Sequence, residues 1–243
     1  MRLWAFSRRT AVEILRDPLN LAFGLGFPLV LLLLMTLLQA NIPVRLFELE
    51  RLAPGMAVFG LSFMTLFSAT LIAKDRESAL LQRLYTSPLT GADYILGYAL
   101  PVFPIALGQC VACYLAAWGL GLPVTWYTLC SILLILPVSI PYIGLGLLCG
   151  SVLSVKQVGG ICGALLTNVA AWFSGIWFDL DLVGGPFKRI AYILPFVHGV
   201  EVEKAALVGD FAGIWPHLWW VLRYGVVIFT GAIWVFTAQM RRD

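Results

Sequence analysis

Long apolar runs, separated by short polar segments, form the main pattern of this chain. A run of about 20 apolar residues is long enough to cross the hydrocarbon core of a bilayer as an α-helix. Six runs meet this length, and only the last contains a charged residue, Arg223. The pattern therefore predicts an all-α integral membrane protein with six transmembrane helices. The predicted spans are residues 19–40, 52–73, 94–121, 126–153, 158–178 and 217–238.

The third and fourth spans carry prolines in their interiors. Pro101 and Pro104 lie in one span, and Pro137 and Pro141 lie in the other. Proline removes a backbone hydrogen bond and clashes with the preceding turn of a helix. We therefore expect both helices to bend at these residues.

The composition agrees with a membrane protein. Of the 243 residues, 60% are hydrophobic and 12% are charged, and the mean hydropathy is +0.91. A soluble domain carries about 25% charged residues, so a soluble fold is excluded. The basic residues behind the net charge of +3 are scattered along the chain. They form no basic stripe, which argues against nucleic acid as a partner.

The positions of the basic residues predict the orientation. If the N-terminus is cytoplasmic, ten lysines and arginines lie in cytoplasmic segments and five in outer segments. This asymmetry predicts that both termini are cytoplasmic. The twin arginine at residues 8 and 9 precedes an apolar run of 22 residues without a small-residue cleavage site. We therefore expect the first run to be a retained span and not a secretion signal.

Three segments outside the spans have patterns of their own. Residues 1–18 sort apolar and charged side chains onto opposite faces of a helix, which predicts an interfacial elbow helix; the alternative is a positive flank that only sets topology. Residues 74–89 begin with charges and continue with leucines at helical spacing before Ser87-Pro88, which predicts a short cytoplasmic helix. Residues 179–216 have helical apolar spacing and predict short re-entrant or interfacial outer helices. The five acids of this outer segment outnumber its three bases, which predicts a mildly acidic outer mouth.

Several kinds of chemistry are absent from the sequence. No aspartate or glutamate lies inside a predicted span, which disfavours ion-coupled transport. His198 and His217 have no ligand spacing, and Cys110 and Cys113 have no partner ligands, so we expect no metal site and no catalytic residues. The chain also has no Gly-x-x-x-x-Gly-Lys-Ser/Thr loop. Any ATP hydrolysis must come from another subunit.

At this point the residues resemble the membrane-spanning (permease) subunits of ABC type-2 exporters. The resemblance includes the basic elbow helix, Leu52-Ala53-Pro54-Gly55-Met56 at the start of the second span, and the stretch from Arg76 to Leu89. In this stretch, Arg76-Glu77, the leucines and Pro88-Leu89 agree with the pattern of the family. The segment Leu194-Pro195-Phe196-Val197-His198-Gly199-Val200 looks like the proline-bearing outer segment that precedes the last span in the family.

The resemblance implies partners and a location. The helix 74–89 would be the coupling helix, seated on an ABC ATPase subunit that is present in two copies and binds ATP and Mg. A second permease subunit, forming a homodimer or a related heterodimer, would complete the pathway in the plasma (inner) membrane of a prokaryote. The expected ATPase contacts are polar at Arg76, Glu77 and Arg83 and apolar at Leu80, Leu81 and Leu84. An ordinary solvated surface helix is the alternative for these six residues.

The family also suggests that spans two and five line the pathway. Phe59, Phe63 and Phe67 recur every four residues on span two, and Asn168 is the strongly polar residue at mid-depth of span five. These residues would suit an amphiphilic cargo, although helix packing or lipid contact would use the same residue types. The small residues Gly159, Gly160, Gly163 and Ala164 predict close helix approach.

The cargo stays open at this point. A drug, an antibiotic peptide or a lipid-linked glycan would each fit an export permease. An importer or a flippase-like subunit for a lipid-linked glycan is an alternative within transport. A non-transporting membrane scaffold or assembly protein is an alternative of another class.

Overall fold

The computed structural model describes residues 2–43, 47–78 and 89–240, and every regular element in these ranges is helical. The first helix, α1, is Arg2–Leu15. The second, α2, is Pro18–Gln39; Asp17 caps its N-terminus by accepting the Asn20 N–H, and Pro18 occupies the first turn, where its missing N–H costs nothing. The third, α3, is Leu49–Glu77.

The next three helices form two apolar stretches, Gly91–Gly119 and Trp126–Val152. Helix α4 is Gly91–Ala99 and begins at a capping box, and α5 is Val102–Gly119. The interruption between them falls at Pro101, as the proline predicts. Helix α6 is Trp126–Val152 and runs through both of its prolines as one helix.

The segment that corresponds to the predicted fifth span has three parts. Helix α7 is Val155–Val158, a π-helix follows at Gly159–Leu166, and α8 is Thr167–Phe173. The helical path therefore ends five residues before the predicted boundary at 178. Wider turns of the π type are rare and occur mostly at functional sites.

The last part of the chain forms three short helices and one long one. Helix α9 is Leu180–Val183, α10 is Gly185–Ile193 and α11 is Pro195–Val208. Helix α12 is Phe211–Met240, which begins six residues before the predicted sixth span. The predicted outer segment 179–216 is thus helical over most of its length.

Within the described residues, five helical stretches are long and apolar enough to cross a membrane, which makes the chain a multi-pass membrane protein. The fifth predicted span, 158–178, is not among them, because the segment 155–173 is divided into three shorter elements. The five stretches are Asn20–Gln39, Leu49–Glu77, Gly91–Gly119, Trp126–Val152 and Phe211–Met240.

Helix α3 lies at the centre of the bundle and packs on α2, α5, α6 and α11. Its contact with α6 is close because Gly146 and Gly150 face it: a Cβ on Gly146 would lie 2.2 Å from the Thr65 carbonyl oxygen. Helix α1 lies beside the C-terminal end of α3, and α11 packs near the N-terminal end of α3. We call these ends of the bundle the α1 side and the α11 side; the charge asymmetry predicts that the α1 side is cytoplasmic.

Candidate functional site

A groove of about 570 Å³ opens between α2, α3 and the π-helix with α8. Most of its lining is aromatic or aliphatic. Phe59 and Phe63 from α3 form one wall, and Asn168 and Trp172 from α8 form the opposite wall. The other lining residues are Phe23, Phe27, Leu31, Gly163, Thr167, Ala171 and Trp177. Three of the four residues predicted to line a pathway are therefore brought together.

The aromatic wall is already packed in its own chain. The Phe59 and Phe63 rings lie 6.0 Å apart in an edge-to-face arrangement, and Phe27 of α2 lies 5.7 Å from Phe63. On its other side, Phe59 meets the Trp177 ring at 6.1 Å. Such contacts fix the rings in place, so the groove keeps its shape without a ligand.

Asn168 supplies the polar group of the groove. Its amide nitrogen donates to the Ala164 carbonyl oxygen at 2.8 Å, and its side chain is exposed. The neighbouring Trp172 is also exposed, by 54% of its surface. An amphiphilic molecule in the groove would find apolar contact on several sides and one amide for hydrogen bonding.

Phe67 does not line this groove. Residues four apart on an α-helix are rotated by about 40°, so Phe67 is turned by about 80° from Phe59. Phe67 packs against Gly24 of α2, where a Cβ would lie 2.4 Å from its ring. It also borders a second cavity, of about 310 Å³, which includes the charged residues Glu13, Arg16 and Lys74 on the α1 side.

The small residues of the π-helix have different surroundings. A Cβ on Gly163 would touch Leu66 of α3 at 3.6 Å, so this glycine faces the bundle. A Cβ on Gly159 or Gly160 would meet nothing within 4 Å. Gly159 and Gly160 face outward within the described part of the single chain, so the close helix approach at these two glycines stays a prediction.

Two of the predicted ATPase contacts bind their own chain. The Arg76 guanidinium donates to the carbonyl oxygens of Gly150 and Leu153, at 3.1 and 3.3 Å, and so caps the C-terminal end of α6. The Glu77 carboxylate accepts the backbone N–H of Val155 at 2.8 Å. Both side chains thereby hold the turn between α6 and α7.

The remaining predicted contacts lie outside the described residues. They are Leu80, Leu81, Arg83 and Leu84. The structure does show that residues 74–77, the start of the predicted coupling helix, continue α3 without a break.

Beside this turn, a buried carboxylate joins three helices. Both Asp75 oxygens accept from Arg9 of α1, at 2.6 and 2.8 Å, and Tyr98 of α4 donates to Asp75 Oδ2 at 2.6 Å. We call Arg9, Asp75 and Tyr98 the Asp75 clamp. The hydrogen bonds that Arg9 donates to Asp75 raise the pKa of Arg9, and burial raises the pKa of the neighbouring Glu13, whose carboxylate lies 2.8 Å from Arg9.

The sequence did not predict this clamp. The sequence pattern places Asp75 in a short cytoplasmic helix that begins at residue 74, whereas the structure places it on the buried face of α3. Ser68, Leu71 and Asp75 have the i, i+3, i+7 spacing of one helix face. Extending the helical period beyond the apolar run would have placed Asp75 on that buried face.

Two histidines meet on the α11 side. His198 Nδ1 of α11 lies 2.8 Å from His217 Nδ1 of α12, and His198 Nε2 lies 3.0 Å from the Tyr192 carbonyl oxygen. Burial lowers the pKa of His198, which favours the neutral ring. Their separation of 19 residues gives no local spacing, so only the packing of α11 on α12 reveals the pair.

The expected acidic outer mouth needs one correction. Asp179, Asp181 and Glu201 border a polar cavity of about 460 Å³ on the α11 side, together with Arg51 and Lys204. Glu203 is not part of it, because this side chain is fully buried. The count of acids in the sequence treats all five as equally exposed. The side chains of residues 201 and 203, however, point to different faces of one helix.

A bundle of membrane-length helices with a lateral groove is typical of the membrane component of a transporter. The chain belongs to the ABC-2 type transporter family, whose profile matches residues 1–207. It is also similar to the protein named "Probable multidrug ABC transporter permease YbhR" from Escherichia coli strain K12 and from Escherichia coli O157:H7. Identity to each is 22% over 182 residues, covering 74% of this chain and 49% of the relative. The chain thus spans about half the length of the curated relatives it matches. The family is the transmembrane component of the transporter and not its ATPase.

Proposed function

We propose that this chain is the permease subunit of an ATP-driven exporter and that it works as a dimer with separate ATPase subunits. The observation that carries this proposal is the groove. It combines aromatic walls with one amide and opens between α2 and α8, where α8 is exposed along Asn168 and Trp172. The family membership supports the same function.

The outward face of the π-helix and α8 supports the pairing of two permeases. Gly159, Gly160 and Asn168 share this exposed face, and the two glycines would let another helix backbone approach closely. A second copy placed there would cover Asn168 and convert the lateral groove into an enclosed pathway. A related permease would serve equally in a heterodimer.

The turn between α6 and α7 supports coupling to an ATPase. Residues 74–77 form the last turn of α3, where Arg76 binds Gly150 and Leu153 at the end of α6 and Glu77 binds Val155 at the start of α7. A force that an ATPase applies to the 74–89 segment would therefore act on α3 and on residues 155–173 together. ATP and Mg belong to the partner, and the membrane dimer would shift between inward-open and outward-open populations.

The lining favours an amphiphilic cargo of drug size. A volume of about 570 Å³ lies within the range of small-molecule sites, roughly 300–1,000 Å³. A drug, a hydrophobic portion of an antibiotic peptide or the lipid part of a glycan carrier would fit this chemistry. The curated relatives carry a multidrug name, which agrees with the first of these.

Reconstitution with the partner ATPase tests the proposal. The ATPase rate in lipid nanodiscs should rise when amphiphilic cargoes are added. Phe63→Ala and Asn168→Leu should weaken this stimulation by about tenfold in cargo concentration, since each removes a groove contact worth roughly 1–2 kcal/mol. Phe67→Ala is the matched control, because Phe67 is an aromatic residue of the same helix outside the groove.

Three results would contradict parts of this proposal. Equal effects of Phe63→Ala and Phe67→Ala would remove the groove from the transport pathway. A chain that associates with no ATPase, and stimulates none, would favour the membrane scaffold or assembly protein. Uptake of cargo in place of export would favour an importer.

Coupling requires a separate variant. Arg83→Glu places the opposite charge in the predicted coupling helix, whereas Glu77→Gln disturbs the turn at Val155 within the chain. We expect Arg83→Glu to abolish association with the ATPase in a pull-down. Unchanged association, in a folded protein, would show that residues 74–89 are only a solvated surface helix.

A further inference from the structure

Glu203 is a carboxylic acid buried in the helix bundle. It lies on α11, two residues after Glu201, and the rotation of about 200° between them turns it to the opposite face. Glu201 pairs with Lys204 at 3.0 Å on the partly exposed face. Glu203 is fully buried, beside the buried Val202 and Ala206 on the same helix.

Two hydroxyl groups lie next to the carboxyl group of Glu203, one in direct contact with it and one behind the first. Ser131 of α6 donates its hydroxyl hydrogen to Glu203 Oε2. The Tyr114 hydroxyl of α5 lies 2.6 Å from the Ser131 hydroxyl. The other oxygen, Glu203 Oε1, is buried and has no hydrogen-bond partner among the described residues. Among the described residues, one of the two carboxyl oxygens therefore has a hydrogen-bond partner and the other has none.

The described residues supply no cation to balance a negative charge at this position. On α5, the neighbouring titratable groups are Tyr114 and Cys110, and both are neutral when protonated. On α6, the contact is the hydroxyl of Ser131. On α11 itself, Lys204 is already paired with Glu201.

Cations and titratable groups on the other packed elements also have their own partners. His217 of α12 faces His198. Arg51 of α3 lies 3.9 Å from Asp179, and Lys188 of α10 binds Asp181. An ionised and unpaired carboxylate in such surroundings is costly, so the group binds a proton instead. Burial accordingly raises the pKa of Glu203 to about 8.

We propose that Glu203 is a proton-binding site that holds α11 in the bundle. With the proton bound, the neutral acid keeps its place beside Ser131 and Tyr114. When the proton leaves, the carboxylate must reach water, so α11 loosens from α5 and α6. The folded state holds this proton in a pH range where an unfolded chain, with an ordinary carboxyl, has lost it. Docking of α11 is therefore tightest below the ordinary pKa of a carboxyl group and weakens as the pH rises from there through the pKa of Glu203.

The site has a consequence for transport that rests on the proposed function. If residues 179–216 close the exit of the pathway, release of the proton on that side would favour opening. The proton would then regulate the exit and would not drive the transport cycle. The proton site itself depends only on the contacts of Glu203.

Infrared difference spectroscopy and hydrogen exchange of the full chain in nanodiscs test the proposal. As the pH rises from neutral, the wild type should lose the carbonyl band of a protonated carboxylic acid. Over the same range, the exchange protection of residues 195–208, corrected for intrinsic rates, should fall on the order of tenfold. Glu203→Gln, which is uncharged at every pH, should show neither change.

Two further variants sharpen the test. Glu201→Gln, on the exposed face of the same helix, should respond to pH as the wild type does. Ser131→Ala removes a hydrogen bond that favours the ionised form, so both transitions should move to higher pH. This variant also tests the proposal if Glu203→Gln does not fold.

Some outcomes would overturn the proposal. A carboxylate spectrum at neutral pH, or an exchange response that persists in Glu203→Gln, would remove Glu203 as the proton site. Loss of the proton without a change in exchange would refute its role in holding α11. If both responses occur as expected but no cargo is moved, the proposed function fails and the proton site stands.

Discussion

Single residues decide where charge is tolerated in this protein. Asp75 lies at the end of a membrane helix and is buried, and it is stabilised because Arg9 and Tyr98 approach it from two other helices. A carboxylate with two donors at such short range is well satisfied. Helix α1 is therefore fixed to α3 by a specific contact and not only by its apolar face.

Replacing Asp75 tests this contact. Asp75→Asn removes one of two acidic partners of Arg9, the other being Glu13, and should cost about 3 kcal/mol, the lower end for breaking a buried pair. Lys74→Gln is the control, because the neighbouring Lys74 pairs with Asp17 at the surface and contributes less than about 1 kcal/mol. Thermal unfolding in detergent measures both variants. Equal decreases in Tm would show that the clamp contributes no more than a surface pair.

At the scale of the elements, close packing of α3 on α6 organises the bundle. Gly146 and Gly150 are separated by three residues, the Gly-x-x-x-Gly spacing that lets membrane helices approach. Thr65 of α3 also donates its hydroxyl hydrogen to the Tyr142 carbonyl oxygen at 2.9 Å. This pair of glycines is visible in the sequence and could have been used to predict which helices touch.

Adding one methyl group probes this contact. Gly146→Ala would place a Cβ 2.2 Å from the Thr65 carbonyl oxygen, which is backbone and cannot rotate away. We expect a loss of about 1–3 kcal/mol, the usual cost of overpacking. Gly108→Ala on α5 is the matched control, since its Cβ would meet nothing within 4 Å. Unfolding of both variants in the same detergent would reveal the difference; a stable Gly146→Ala protein would contradict the close approach.

The sequence predicts elements well where hydrophobicity alone decides them. The predicted first span, 19–40, differs by one residue at each end from α2. The fifth span is harder to predict, because the wider turns between Gly159 and Leu166 leave no mark on hydrophobicity. Helix α3 extends to Glu77 because its last charges are paired inside the protein, and such pairing depends on residues distant in sequence.

The same contrast holds for the groove. The spacing of Phe59, Phe63 and Phe67 indicates a shared helix face, and the structure places two of the three beside Asn168. The third, Phe67, is rotated by about 80° from Phe59 around the helix axis and borders another cavity. Residues from α2 and Trp177 complete the groove, and a pattern on one helix contains no information about its neighbours.

At the scale of the whole molecule, the exposed face of the π-helix predicts how two copies meet. In a variant without the five native cysteines, Gly160→Cys should form a disulfide between two chains under mild oxidation. Gly108→Cys, which is exposed on α5, should not. Non-reducing electrophoresis after oxidation in native membranes distinguishes the two. Cross-linking of both variants to the same extent would reflect random collision. It would contradict a dimer whose interface is formed by residues 155–173.

Helix α3 also connects the groove to the Asp75 clamp as one unbroken helix. Sixteen residues separate Phe59 in the groove from Asp75 in the clamp, a distance of about 24 Å along an unbroken helix. A tilt of about 5° around the clamp would displace Phe59 by about 2 Å, roughly the difference between a ring contact and a gap. Because Pro54 lies beyond Phe59, the stretch between groove and clamp contains no proline at which the motion could be absorbed. A small rotation of α3 at one membrane surface would thus alter the width of the groove. The helix itself would stay unbroken between the clamp and the groove.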